Sequence, residues 1–134
     1  MINLYRFYNK PEKLDMHNVY YKPLQHVHYN VDDSIMHIIK KEPRLTYYYA
    51  QDVIKGRWQE AEPYIMKDPY YAYMYAYYII QCRWREAEQY IMKDPYYAYL
   101  YAYYVINNRW PEAEKYIRED EGCWQSYYRQ FKLC

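Results

Sequence analysis

Laid over itself at an offset of 26 residues, the chain aligns Arg57-Trp58 with Arg83-Trp84 and Arg109-Trp110, and Glu60-Ala61-Glu62 with Glu86-Ala87-Glu88 and Glu112-Ala113-Glu114. The register continues through Tyr64-Ile65, Tyr90-Ile91 and Tyr116-Ile117, and Lys67-Asp68-Pro69-Tyr70-Tyr71-Ala72-Tyr73 returns as Lys93-Asp94-Pro95-Tyr96-Tyr97-Ala98-Tyr99. It also runs backwards, with Pro43, Tyr47, Tyr49, Ala50, Val53 and Ile54 in phase with Pro69, Tyr73, Tyr75, Ala76, Ile79 and Ile80. Repetition at such a period marks stacked supersecondary units, none of which can bury its apolar faces alone. The expected fold class is all-α: a short right-handed-type α-solenoid of about four helix-turn-helix repeats behind an irregular or short β N-terminal cap.

Each unit reads as two helices. The longer begins at Asp68-Pro69 and its copies, where the carboxylate can cap free N–H groups and proline in the first turn forfeits no hydrogen bond. Its ends fall near Gly56 and Asn108, residues that tolerate a left-handed C-cap. The shorter opens after Trp58, Trp84 and Trp110, with glutamates in its first turn facing the positive end of the helix dipole. Predicted helices cover 33–41, 43–55, 59–67, 69–81, 85–93, 95–107, 111–119 and 122–133. The repeat region is 32–134, with units near 32–55, 58–81, 84–107 and 110–133, and 1–31 is a separate cap segment. In that segment the alternation of Ile2-Asn3-Leu4-Tyr5-Arg6-Phe7-Tyr8 and the run Val19-Tyr20-Tyr21 suggest strands, with turns at Pro11 and Pro23.

Comparing the copies separates core from surface. Thr46/Ala72/Ala98, Tyr49/Tyr75/Tyr101, Ala50/Ala76/Ala102, Val53/Ile79/Val105 and Ile54/Ile80/Ile106 recur at i, i+3, i+4, i+7 and i+8, the stripe of a buried helix face. Trp58, Ala61 and Ile65, with their copies, supply the matching face of the shorter helix. Removing Trp84 as Trp84→Ala is expected to cost about 3–5 kcal/mol, and Trp58 and Trp110 are expected to behave likewise. In the last helix Trp124, Tyr128 and Phe131 take the places of Ala98, Ala102 and Val105, rings suited to closing a final layer.

The string Gly56-Arg57-Trp58-Gln59-Glu60-Ala61-Glu62-Pro63-Tyr64-Ile65-Met66-Lys67-Asp68-Pro69 resembles a short tandem α-helical repeat of uncharacterised bacteriophage and large-virus proteins. The likeness spans about 40–133 and implies a helical stack of phage or viral origin, with no catalytic residues to carry over. Where that repeat usually has charged or small residues on the longer helix, this chain has Tyr77-Tyr78 and Tyr103-Tyr104.

Composition narrows the function. Two glycines among 134 residues leave little room for phosphate-cradling loops, which argues against enzymes built on Gly-rich motifs. A formal charge of +1 provides no long-range field toward nucleic acid or an anionic membrane. No apolar run is long enough to span a bilayer, and three cysteines at no metal or redox spacing fit a reducing, cytoplasmic setting, that of the infected cell if the protein is viral.

The excess lies in 25 tyrosines. On a helical projection Tyr70, Met74, Tyr77 and Tyr78 lie opposite the buried stripe, and Tyr96, Leu100, Tyr103 and Tyr104 repeat the arrangement one unit on. The first unit has Arg44, Tyr48, Gln51 and Asp52 there, so the scaffold does not demand tyrosine. Such a ridge suits a protein interface, to a host or viral protein or to a second copy in a self-assembling structural protein. The alternative is that other parts of the chain cover it. Arg57, Arg83 and Arg109 form a ladder that with aromatics suits single-stranded nucleic acid, but pairing with Glu60, Glu86 and Glu112 is the favoured reading. His17, His26, His28 and His37 have no metal-site spacing, Cys82 sits where a helix dipole disfavours a thiolate, and no catalytic constellation or cofactor motif emerges.

Overall fold

A capping carboxylate and a proline start one helix in each of three units. Glu42 accepts from the Leu45 N–H at 2.8 Å, Asp68 from Tyr71 at 3.0 Å, and Asp94 from Tyr96 and Tyr97 at 3.0 and 3.1 Å. Pro43, Pro69 and Pro95 follow immediately. The computed structural model describes residues 33–133, and the expected cap at 1–31 lies outside the described residues. Along them run α1 (Asp33–Lys41), α2 (Pro43–Tyr48), α3 (Glu62–Ile65), α4 (Pro69–Tyr75), α5 (Arg85–Ile91), α6 (Pro95–Tyr101), α7 (Pro111–Ile117) and α8 (Glu121–Phe131). Among the described residues the fold is mostly helical, without a strand.

Three helices do not end as α-helices. α2, α4 and α6 each continue into a π-helical turn, at Tyr49–Ile54, Ala76–Ile80 and Ala102–Ile106. The turn closes where Lys55, Gln81 and Asn107 donate to the carbonyls of Ala50, Ala76 and Ala102 from left-handed backbone, φ 56°, 57° and 57°. The left-handed residue therefore precedes the expected Gly56 and Asn108 by one position. Gly56 and Asn108 follow the turn and bond the same Ala50 and Ala102 carbonyls, at 3.1 and 3.3 Å, so the left-handed cap is already complete when they are reached.

The same turn revises the buried stripe. Ala50, Ala72, Tyr75, Ala76, Ala98, Tyr101 and Ala102 are fully buried as expected, but Ile54 is 40 % exposed and Ile79 and Ile80 only half-buried. A 3.6-residue projection overshoots where hydrogen bonds span five residues, so side chains at i+7 and i+8 leave the core face. In their place Tyr47 and Tyr73, outside the predicted stripe, are buried.

α3 also has a local cause for its irregular start. It opens with a 3₁₀ turn at Gln59–Ala61, where Glu62 donates to the Gln59 carbonyl. Pro63 has no N–H to bond that carbonyl, whereas Gln89 and Lys115, at the same register, do. α5 and α7 accordingly start as regular helix.

The shorter helices bury Ala61 and Ile65, Ala87 and Ile91, and Ala113 and Ile117, all fully excluded from solvent. α4 packs most closely on α5, and α6 on α7, through the alanines that let the backbones approach. Thr46 takes the alanine position in α2 and donates its hydroxyl to the Ile39 carbonyl at 2.8 Å, satisfying a group at the end of α1. Trp84 and Trp110 are 2 % and 1 % exposed, under Tyr75 and Tyr101. Trp58 departs from the expected equivalence: it is only half-buried, against Tyr49, itself half-buried.

Candidate functional site

What fixes the surface helices in place is a hydrogen-bonded set repeated in three units. The Trp58 N–H donates to the Tyr75 hydroxyl at 2.6 Å, which donates to Glu62 Oε1 at 3.1 Å. Glu62 in turn receives two bonds from the Arg57 guanidinium, each 2.8 Å. Trp84, Tyr101, Glu88 and Arg83 form the second set, and Trp110, Tyr127, Glu114 and Arg109 the third. In the first unit Met36 stands at the carboxylate position, which leaves Tyr49 without that acceptor.

This arrangement corrects the expected partners of the arginine ladder. Arg57, Arg83 and Arg109 pair with Glu62, Glu88 and Glu114 instead of Glu60, Glu86 and Glu112; Glu60 pairs with Lys40 at 2.8 Å. At i+5 the carboxylate has turned inward beside the tyrosine hydroxyl, whereas the i+3 glutamate remains on the solvent side of the first turn. The sequence carries a signal for it: Tyr75, Tyr101 and Tyr127 recur at the repeat period, each 13 residues after a glutamate, and a phenol kept at a buried position needs a partner for its hydroxyl. Burial pushes the phenol of Tyr127 up to about 12, and those of Tyr75 and Tyr101 also rise, so each stays a neutral donor.

With these phenols turned inward, the eight residues of the expected ridge divide into two groups. Tyr77, Tyr78, Tyr96 and Tyr104 are exposed, at 36 %, 51 %, 54 % and 47 %. Tyr70, Met74, Leu100 and Tyr103 are half-buried, with Met74 and Leu100 packed against the core. Tyr97, from the third unit, packs on Tyr70 and Tyr73 of the second, at 5.4 and 6.3 Å between ring centroids. Tyr104 likewise reaches back to Tyr77, at 5.6 Å and 65°. Tyr78 meets Tyr77 edge to face, at 4.7 Å and 80°. Ring contacts thus link the exposed tyrosines across α4, α6 and the π turns that follow them, with Tyr96 joined to Tyr77 through half-buried Tyr97 and buried Tyr73.

The limits of the ridge are chemical. Arg44, Tyr48, Gln51 and Asp52 hold the corresponding places in the first unit, and Gly122, Ser126, Arg129 and Gln130 those in the last. Between Tyr78 and Tyr104 lies a groove of about 360 Å³, lined by Ala76, Tyr77, Tyr78, Gln81, Tyr104 and Val105. At the chain's far end Trp124 and Phe131 are half-buried and Tyr128 is 44 % exposed, with the Arg118 guanidinium 4.2 Å over the Trp124 ring.

Among the described residues, no three His, Cys, Asp or Glu side chains converge as a metal site, and no helix is long and apolar enough to cross a membrane. His17, His26 and His28 lie outside the described residues, and His37 is exposed. The chain matches no family model, no curated protein and no solved structure.

Proposed function

We propose that the chain is a non-enzymatic binding protein whose units stack as a short α-solenoid and offer the tyrosine ridge of α4 and α6 to a protein partner. The observation that carries this reading is the exposed, contiguous set Tyr77, Tyr78 and Tyr104, in a register where the neighbouring units place polar side chains. Rings with a polar tip give large contact area at low entropic cost, and an exposed aromatic patch bounded by polar residues has the anatomy of an interface. The likeness of the repeat to phage and large-virus proteins favours a viral origin and a partner in the infected cell's cytoplasm, where capture would inhibit a host factor.

The arginine ladder supports the nucleic-acid alternative less well, since each guanidinium is already committed to a carboxylate. The test is Tyr78→Asp with Tyr104→Asp. Both rings are about half exposed, so the pair should melt within a few degrees of the unmodified protein while losing partner capture in pull-downs from the natural host. Light scattering across a concentration series distinguishes a second copy as the partner. Capture undiminished by the double substitution overturns the reading.

A further inference from the structure

The groove between Tyr78 and Tyr104 has a chemistry of its own. Tyr77 meets both neighbouring rings edge to face, so the three rings stand at steep angles to one another beside one space of about 360 Å³, at the small end of ligand pockets (about 300–1,000 Å³). The faces of aromatic rings are the negative pole of their quadrupole and attract cations.

The surrounding backbone has the same sign. The groove lies over the last turns of two neighbouring helices, at Ala76–Ile80 and Ala102–Ile106, the end at which a helix dipole is negative, although Gln81 and Asn107 cap the Ala76 and Ala102 carbonyls themselves. No side chain of the lining is basic, and no residue from Pro69 to Ile80 or from Pro95 to Ile106 is charged at all. The nearest unit on the ridge contributes a carboxylate, Asp52, at the register of Tyr78. A cation therefore meets attraction from rings and helix ends with no competing charge in the lining.

The absence of a carboxylate from that lining selects among cations. A compact primary ammonium is strongly hydrated and needs a counter-charge to leave water, whereas a guanidinium or methylated ammonium spreads its charge and sheds hydration more readily. Half-buried Val105 adds apolar contact for the alkyl part. The geometry points to the Tyr77–Tyr78–Tyr104 groove as a receptor for a diffuse organic cation, an arginine or methylated lysine side chain of the protein partner. This rests on the proposed binding function and names the chemistry of the partner's anchor.

The full chain is titrated with choline and, separately, with its uncharged isostere 3,3-dimethylbutan-1-ol, following amide and tyrosine ring signals by NMR at constant ionic strength. Saturable millimolar shifts confined to the groove are expected for choline, with at least tenfold weaker binding of the alcohol. Tyr104→Leu and Tyr78→Leu should each weaken choline binding about tenfold, while Tyr104→Phe keeps it within threefold. Equal binding of the two probes, no saturation, or unaltered binding by the leucine variants overturns the inference, and the probe comparison needs no variant to fold. Partner capture that requires the ridge, together with no choline binding, would overturn this inference and leave the proposed function standing. Choline binding with capture indifferent to Tyr78 and Tyr104, or binding to phosphatidylcholine vesicles, would overturn a partner's side chain as the occupant.

Discussion

Replacing Tyr101 by phenylalanine removes one oxygen from the middle of the second hydrogen-bonded set and nothing else. That oxygen accepts from the Trp84 N–H at 2.7 Å and donates to Glu88 Oε1 at 3.3 Å. Tyr101 is fully buried and Trp84 is 2 % exposed, so no water can take the hydroxyl's place without rearrangement. An orphaned buried N–H costs about 1–3 kcal/mol. The lost bond to Glu88 adds less, because it is long and Arg83 still holds both carboxylate oxygens. Together these give about 2–3 kcal/mol, or roughly 8–12 °C in melting temperature at about 4 °C per kcal/mol for a chain of this size. Urea unfolding followed by far-UV circular dichroism measures the difference, with Tyr104→Phe, at a 47 % exposed ring, as a control expected within about 0.5 kcal/mol. Glu88→Gln in both backgrounds completes a double-mutant cycle, whose coupling energy should be clearly non-zero. A Tyr101→Phe variant as stable as the control would refute the account of this hydroxyl as the tie between a helix start and the helix that covers it.

Trp84→Ala should cost about 3–5 kcal/mol, whereas Trp58→Ala, at a half-buried ring, should cost distinctly less in the same urea titration. A spectrophotometric titration should show a late phenolate wave coinciding with loss of helical signal. Burial raises Tyr73 and Tyr127 to about 12, so their contribution to stability is whole below the ordinary phenol value near 10 and is lost as pH rises from there through about 12. Ordinary reversible ionisation with helicity intact at pH 12 would contradict it. Burial also raises the carboxyl of Asp52, which therefore favours folding in its protonated form and opposes it once ionised. Asp52→Asn should consequently melt higher than the parent at neutral pH, with the gap closing as pH falls below the carboxylate range; an unchanged melting temperature at neutral pH counts against this assignment.

Helix starts were legible because their causes are local. Asp68-Pro69 and Asp94-Pro95 encode a cap and a fixed φ within two residues, and the observed helices begin where those pairs predict. Alanine at 72, 76, 98 and 102 was equally legible, since small residues repeated at the same register in the two internal copies mark close helix contact. Helix ends were less so: the π turns depend on hydrogen-bond closure at Lys55, Gln81 and Asn107, three residue types with no shared propensity for the left-handed conformation. For the candidate site, periodicity separated Tyr77, Tyr78, Tyr96 and Tyr104 from the core. It did not show that Tyr70 and Tyr103 would be half covered, because Tyr97 leans back onto Tyr70 across the boundary between units and Tyr103 lies between the rings of Tyr99 and Tyr104.

By itself, then, the 26-residue period determined the placement of the helices among the described residues, since caps, prolines and small-residue spacing act within a turn or two of chain. Tertiary structure decided what each tyrosine does. The same side chain is a buried hydrogen-bond relay at Tyr75 and Tyr101, a wedge between helices at Tyr97, and an open wall of a groove at Tyr78 and Tyr104. A phenol has one apolar body and one polar tip, and which of the two meets water is settled only by the neighbours that arrive when the units pack.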